Sequence, residues 1–114
     1  MKIINVTKAT VLVTKVEIAD TMISRMVGLL NRDSFGQDEA IVITKCKSIH
    51  MFFMRFSIDV IFVDRQNCIV GIVEGIKPFH FSPTFFKASY AIELAEGMVQ
   101  RSHSTVGDIL KILQ

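Results

Sequence analysis

One stretch, Cys46 to Asp64 (CKSIHMFFMRFSIDVIFVD), restricts the folds open to this chain more than any other. Its second half has a period of two. Met54, Phe56, Ile58, Val60 and Phe62 fall on one side of an extended chain, and Arg55, Ser57 and Asp59 fall on the other with Phe53, Ile61 and Val63. At 19 residues the stretch is too long for one strand of ordinary length. Carried upstream, the alternation would set Ser48 and His50 on the apolar side, so a bulge or bend is expected near Met51 to Phe53. Burying a polar group unpaired costs about 1 to 3 kcal/mol. The histidine, arginine and aspartate inside this run therefore need partners or a purpose, which makes it the first candidate for a site.

The flanking sequence is strand-rich. Residues 2 to 7 and 11 to 18 read as strands, the second with Leu12, Thr14, Val16 and Ile18 on one face. Asp20 is placed to cap a helix running to about Leu30, with Met22, Ile23, Met26, Val27, Leu29 and Leu30 in one arc. Thr21, Ser24, Arg25 and Gly28 share the opposite arc. A glycine inside a helix costs about 1 kcal/mol relative to alanine, so Gly28 reflects either close approach of a segment or ligand over the Ser24/Arg25/Gly28 face, or no more than sequence drift or a helix that stops early. Residues 31 to 39 read as loop and Ala40 to Thr44 as a short buried strand. Asp64-Arg65-Gln66-Asn67 reads as a hairpin turn, with Cys68 to Val73 returning antiparallel and Cys68 a small core residue. Residues 77 to 87 (KPFHFSPTFFK) carry both prolines and four phenylalanines and read as an aromatic loop, because proline cannot donate to a ladder. Ala88 to Leu94 reads as a strand with Glu93 opposed to Tyr90, Ile92 and Leu94. A helical turn near 96 to 102, a turn at Gly107-Asp108 and a last strand at Ile109 to Leu113 complete the chain. The sum is a single α+β domain over residues 1 to 114: about seven strands in a mainly antiparallel, barrel-like sheet, with one principal helix.

Composition narrows the function classes. Half of the 114 residues are hydrophobic, enough for a core without disulfides or a structural metal. Lys and Arg exceed Asp and Glu by only two and are scattered, which argues against nucleic acid as a partner. No run approaches the roughly 18 apolar residues of a membrane span. The first residues are too short and too polar for a secretory signal, so reduced thiols and a cytoplasmic location are expected.

The reactive residue types lack catalytic spacing. Cys46 and His50 would lie roughly 13 Å apart on an extended chain, too far for a dyad unless the segment bends sharply. Cys46, His50, Cys68, His80 and His103 contain no zinc-ligand pairing, so neither a metal nor a cofactor is expected. Arg55 and Asp59 are also roughly 13 Å apart by strand rise and must meet other elements, with Arg25 and Glu93 as the available opposite charges. One reading is that such charges only fix sheet register through ion pairs. The functional alternative is a polar floor of His50, Arg55, Asp59 and Glu93 beneath a wall of Phe79, Phe81 and Phe85.

Several separated segments resemble one family. Arg25-x-x-Gly28-Leu29-Leu30, the block from Ser48 to Asp64, Pro78, Glu93-Leu94-x-x-Gly97 and Gly107-Asp108 are similar, in order, to the DUF192 family of uncharacterised proteins. The resemblance covers roughly residues 20 to 113 and implies a small, strand-rich α+β domain, but no substrate and no catalytic residues. Ser57 stands where many relatives have proline, Phe79-His80 where a Trp-Arg pair is frequent, and Ala95-Glu96 where Pro-Ala is usual. If the Trp-Arg pair holds a ligand in relatives, this chain binds it differently or not at all.

The expectation is a non-catalytic accessory domain that binds a small ligand or a partner protein through Arg25, Gly28, His50, Arg55, Asp59 and Glu93. The alternatives are a hydrolase using His50 as base with Asp59 or Glu93 as orienter, and a structural subunit of a larger assembly presenting an exposed apolar patch.

Overall fold

In the computed structural model, residues 1–20, 34–52 and 54–114 are described. They form eight strands: β1 (Lys2–Asn5), β2 (Thr10–Val13), β3 (Lys15–Ala19), β4 (Glu39–Thr44), β5 (Ile58–Val63), β6 (Ile69–Ile76), β7 (Tyr90–Ala95) and β8 (Leu110–Leu113). One short helix, α1 (Met98–Arg101), lies between β7 and β8. The fold is α+β and mostly sheet. The expected barrel is not formed: among the described residues the strands separate into a three-stranded sheet, β2-β1-β8, and a five-stranded sheet, β3-β4-β7-β5-β6. All described strand pairings are antiparallel except β3 with β4. The helix expected from Asp20 to about Leu30 lies outside the described residues.

The barrel expectation fails at Thr14, where a run read as one strand divides between the sheets. Thr14 N–H donates to Asp38 Oδ1 at 2.8 Å, its hydroxyl donates to Asp38 Oδ2, and Lys15 N–H donates to the Asp38 carbonyl at 3.0 Å. These bonds take Thr14 and Lys15 out of the β1–β2 ladder and turn the chain so that β3 pairs with β4 in parallel. The hydroxyl and amide of Thr14 hold the Asp38 carboxyl below its ordinary range. The change of register is visible in burial: Leu12 and Val13 are both buried, whereas Ile18 is 53% exposed.

The five-stranded sheet carries most of the core. β5 lies between β7 and β6, and all six of its residues are buried. Its two faces must therefore both be covered, which explains why Ile58 to Val63 reads as a continuous apolar run. Phe62 and Phe85 rings meet with centroids 4.5 Å apart. An added Cβ at Gly71, which pairs with Phe62 across the ladder, would meet the Phe85 ring at 2.3 Å. Glycine at this position lets the aromatic loop lie directly on the sheet.

The expected bend upstream of β5 is present, and it is larger than a bulge. Met54 N–H donates to the Met51 carbonyl at 3.3 Å, and residues 54–57 are irregular, so the ladder begins only at Ile58. Residues 47–51 are instead laced to the aromatic loop. The amides of Phe85, Ser82 and Phe79 donate to the carbonyls of Lys47, Ile49 and Met51, and Met51 N–H donates to His80. The loop is thus a second, irregular partner for a segment that its sequence suggests is strand.

Candidate functional site

The lacing of residues 47–51 to residues 79–85 produces a cleft of about 550 Å³ at the carboxyl ends of β3 and β4. Ile43, Ile49 and Phe81 give it apolar walls, and Asp20, His50 and Thr84 supply polar groups. Asp20 follows β3 directly, so the connection to β4 leaves the sheet at the lip of this cleft. Its Oδ1 accepts from the Thr44 hydroxyl at 3.5 Å. Ser82 stiffens the far wall: its hydroxyl accepts from Ile49 N–H at 2.8 Å and donates to the Pro83 carbonyl at 2.9 Å.

His50 sits between cleft and surface. It forms an isolated antiparallel bridge with Phe81, and its ring lies 5.1 Å from that of Phe52. Phe52 meets Phe81 edge-on at 5.0 Å, so three rings run from the cleft to the exterior. Phe81 is 67% exposed at the rim. Cys46 lines the same cleft, with Sγ 3.1 Å from the Ser48 carbonyl. The bend therefore gathers Cys46 and His50 around one cavity, which an extended chain would not do. Cys46 and Cys68 are not joined by a disulfide, and no cluster of three or more metal-ligating side chains occurs among the described residues.

The remaining sequence-derived site residues that are described, Arg55, Asp59 and Glu93, are dispersed. Arg25 and Gly28 lie outside the described residues. Arg55 is exposed in the irregular segment before β5. Asp59 is 1% exposed, and its two oxygens accept three backbone N–H groups: Gly75 at 2.9 Å on Oδ1, and Gly97 and Val99 at 3.0 Å each on Oδ2. It ties the end of β6 to the start of α1. Glu93 is fully buried in β7, paired with Ile41 on one side and Val60 on the other. Of the described members of the named set, His50 is the one that lines the cleft. Of the phenylalanines read as a wall, Phe81 lines it, Phe79 is 60% exposed and Phe85 packs on Phe62.

Asp20, Phe81, Ser82 and Thr84 are cleft residues that the sequence pattern does not single out as a group. They come from two segments more than fifty positions apart, and no spacing rule links them. The proline-interrupted aromatic run was the one available signal.

Comparison with known proteins gives the family setting. The family model of DUF192, described as uncharacterized ACR, matches residues 3–112. A UPF0127 protein of Thermococcus sibiricus is 34% identical over 110 residues, covering 93% of this chain and 71% of that protein. A UPF0127 protein of Pyrococcus furiosus is 31% identical over 115 residues, covering 95% of each. Among solved structures, a protein of unknown function from Novosphingobium aromaticivorans superposes with a TM-score of 0.81 at 19% identity, covering 97% of this chain and 82% of the other. A Sinorhizobium meliloti protein, provisionally named a transcription regulator, superposes with a TM-score of 0.77 at 23% identity, covering 96% and 89%. At these identities the structural likeness is one of fold.

Proposed function

This chain belongs to the DUF192 family, and we propose that it works as a non-catalytic binding domain whose ligand occupies the cleft between residues 43–50 and the aromatic loop. The observation that carries this reading is the composition of the cleft: apolar walls from Ile43, Ile49 and Phe81 around a few polar groups, His50, Thr84 and Asp20. Small-molecule sites are commonly built this way, with apolar surface supplying affinity and a few polar atoms fixing orientation. A compact organic ligand with one apolar face and at least one hydrogen-bonding group fits that chemistry. Arg25 and Gly28 belong to the connection that leaves β3 at Asp20, and they are part of the proposal as residues to be tested beside His50.

A second reading has one observation in its favour. His50 shares the cleft with a carboxylate, as a hydrolase using histidine as base would require, but that carboxylate is Asp20. Asp59 commits both oxygens to backbone amides, and neither it nor Glu93 is among the residues lining the cleft. In the described residues, then, an orienter for His50 would be Asp20.

The test is a thermal-shift screen of small polar organic compounds followed by amide chemical-shift mapping of each hit. The binding reading expects hits whose shifts centre on residues 43–50 and 81–84, weakened about tenfold or more by His50→Ala or Phe81→Ala. Hits that map elsewhere, or whose affinity ignores both substitutions, would overturn it. Turnover of a hit that His50→Ala and Asp20→Asn both abolish would replace binding by catalysis.

A further inference from the structure

Beside the His50 cleft lies another, of about 640 Å³, that shares Lys45 and Lys47 with it. We propose that this second cleft is a site for a phosphate-bearing ligand. The proposal stands apart from the reading of the His50 cleft and does not depend on it.

Four cations converge here from three separate segments: Lys45 and Lys47 after β4, Arg65 in the β5–β6 turn, and Lys87 at the end of the aromatic loop. One carboxylate, Asp64, shares the lining, so four positive charges face one negative charge. Asp64 is itself occupied: its Oδ1 accepts from the Gln66 and Cys68 amides at 2.9 Å each, holding the hairpin turn. Among the described residues none of the four cations forms a salt bridge. In a chain whose net charge is only +2, this local excess is a marked departure from the evenly scattered charge elsewhere.

The framework around these charges is fixed. Lys47 Nζ donates to the Phe86 carbonyl at 2.6 Å and the Ala88 carbonyl at 3.2 Å, and an ammonium has one further donor to offer. Lys45 adopts a left-handed backbone (φ 52°), which residues other than glycine seldom do. That conformation turns the chain sharply between β4 and the two clefts it borders. Ser89 N–H donates to the Val63 carbonyl at 2.7 Å and secures the Lys87 strand entry against the turn. Burial, followed by the nearby Asp64 charge, pushes the Tyr90 phenol up to about 12, and the neutral phenol donates to Asn67 Oδ1 at 2.8 Å.

A phosphoryl group matches this arrangement better than a single carboxylate does. It brings up to two negative charges and three acceptor oxygens, against three ammonium groups and one guanidinium. Phe86 completes the chemistry. It lines the cleft yet is 80% exposed, an apolar surface at the rim on which the organic part of a phosphorylated molecule can rest. The same phosphoryl chemistry is offered by a soluble phosphate ester and by a lipid headgroup, and the experiment separates the two.

The intact chain would be titrated at constant ionic strength with pyrophosphate, following backbone amide shifts, and sedimented with phosphatidylcholine vesicles with and without phosphatidic acid. The proposal expects saturable shifts confined to residues 45–47, 64–67 and 86–89, or sedimentation that requires phosphatidic acid. Arg65→Glu and Lys87→Glu should each weaken that binding about fivefold or more, since each reverses a charge at the site. Both residues are exposed, so melting temperature should hold; Arg65→Gln serves if the reversal perturbs folding. Saturation by pyrophosphate assigns a soluble ligand, and vesicle binding alone assigns a headgroup. Shifts that never saturate together with no sedimentation that requires phosphatidic acid, shifts that spread equally to Lys2, Lys15 and Lys111, or binding that survives both charge reversals would overturn the proposal.

Discussion

Asp59 is the residue whose environment departs most from what its neighbours in sequence suggest. It reads as a polar member of a ligand floor, yet its carboxylate closes three backbone donors from two other elements. Periodicity could show that Asp59 lies on a buried strand. It could not show that Gly75, Gly97 and Val99 would arrive opposite it, because those contacts join positions 16 to 40 residues away. Removing the carboxylate leaves buried amides without acceptors, at about 1 to 3 kcal/mol apiece. Asp59→Ala should therefore lower unfolding free energy by about 3 kcal/mol or more in urea titrations. Asp59→Asn should recover little of this, since one side-chain oxygen is replaced by a donor facing donors.

Asp108 gives a residue-scale prediction of opposite kind, in pH. Burial would raise its pKa, but bonds from Asn5, Lys8 and Thr105 outweigh burial and hold the carboxyl well below the usual carboxylate range. A depressed folded-state pKa contributes stability that is fully present above the unfolded value, about 4, and is lost as pH falls toward the folded one. The stability difference between wild type and Asp108→Asn should accordingly be constant near neutrality and shrink between about pH 4 and pH 2. A gap that stays unchanged through that window would place the stabilisation elsewhere.

Among the elements, strands were legible where one physical signal governs them. β4, the β5–β6 hairpin and β7 follow from alternation or short buried runs closed by turn residues, and each stands within a few positions of its expected limits. The division of residues 11–18 was not legible, because Thr14 leaves its ladder for a carboxylate 24 positions on. The aromatic loop was recognised from its prolines, but its anchorage on the sheet was not. Phe85 fills the space over Gly71, so the two residues act together. Gly71→Ala should cost about 1 to 3 kcal/mol through overpacking, and Phe85→Ala about 3 kcal/mol through a cavity. In the double variant the methyl should occupy part of the vacated space, making the combined loss smaller than the sum by about 1 kcal/mol in a double-mutant cycle.

For the molecule as a whole, the candidate sites are products of assembly rather than of any motif. His50 stands out in the sequence because a polar residue in an apolar run is conspicuous. The cations Lys45, Lys47, Arg65 and Lys87 do not, because each is unremarkable where it stands in sequence and only the fold collects them. No helix among the described residues is long and apolar enough to cross a membrane.

The pairing of β1 with β8 joins Lys2 to Leu113, and this bears on the order of events in time. Contacts between the first and last strands carry the largest loop-closure cost in the chain and are expected late on the folding route. Weakening them with Ile3→Ala should mainly speed unfolding in stopped-flow chevrons and leave the refolding rate nearly unchanged. During synthesis the consequence is sharper. Asn5 and Lys8 meet Asp108 only after the 100 or so residues that separate them have been made, so the small sheet is a late clasp on a domain whose larger sheet can form before it.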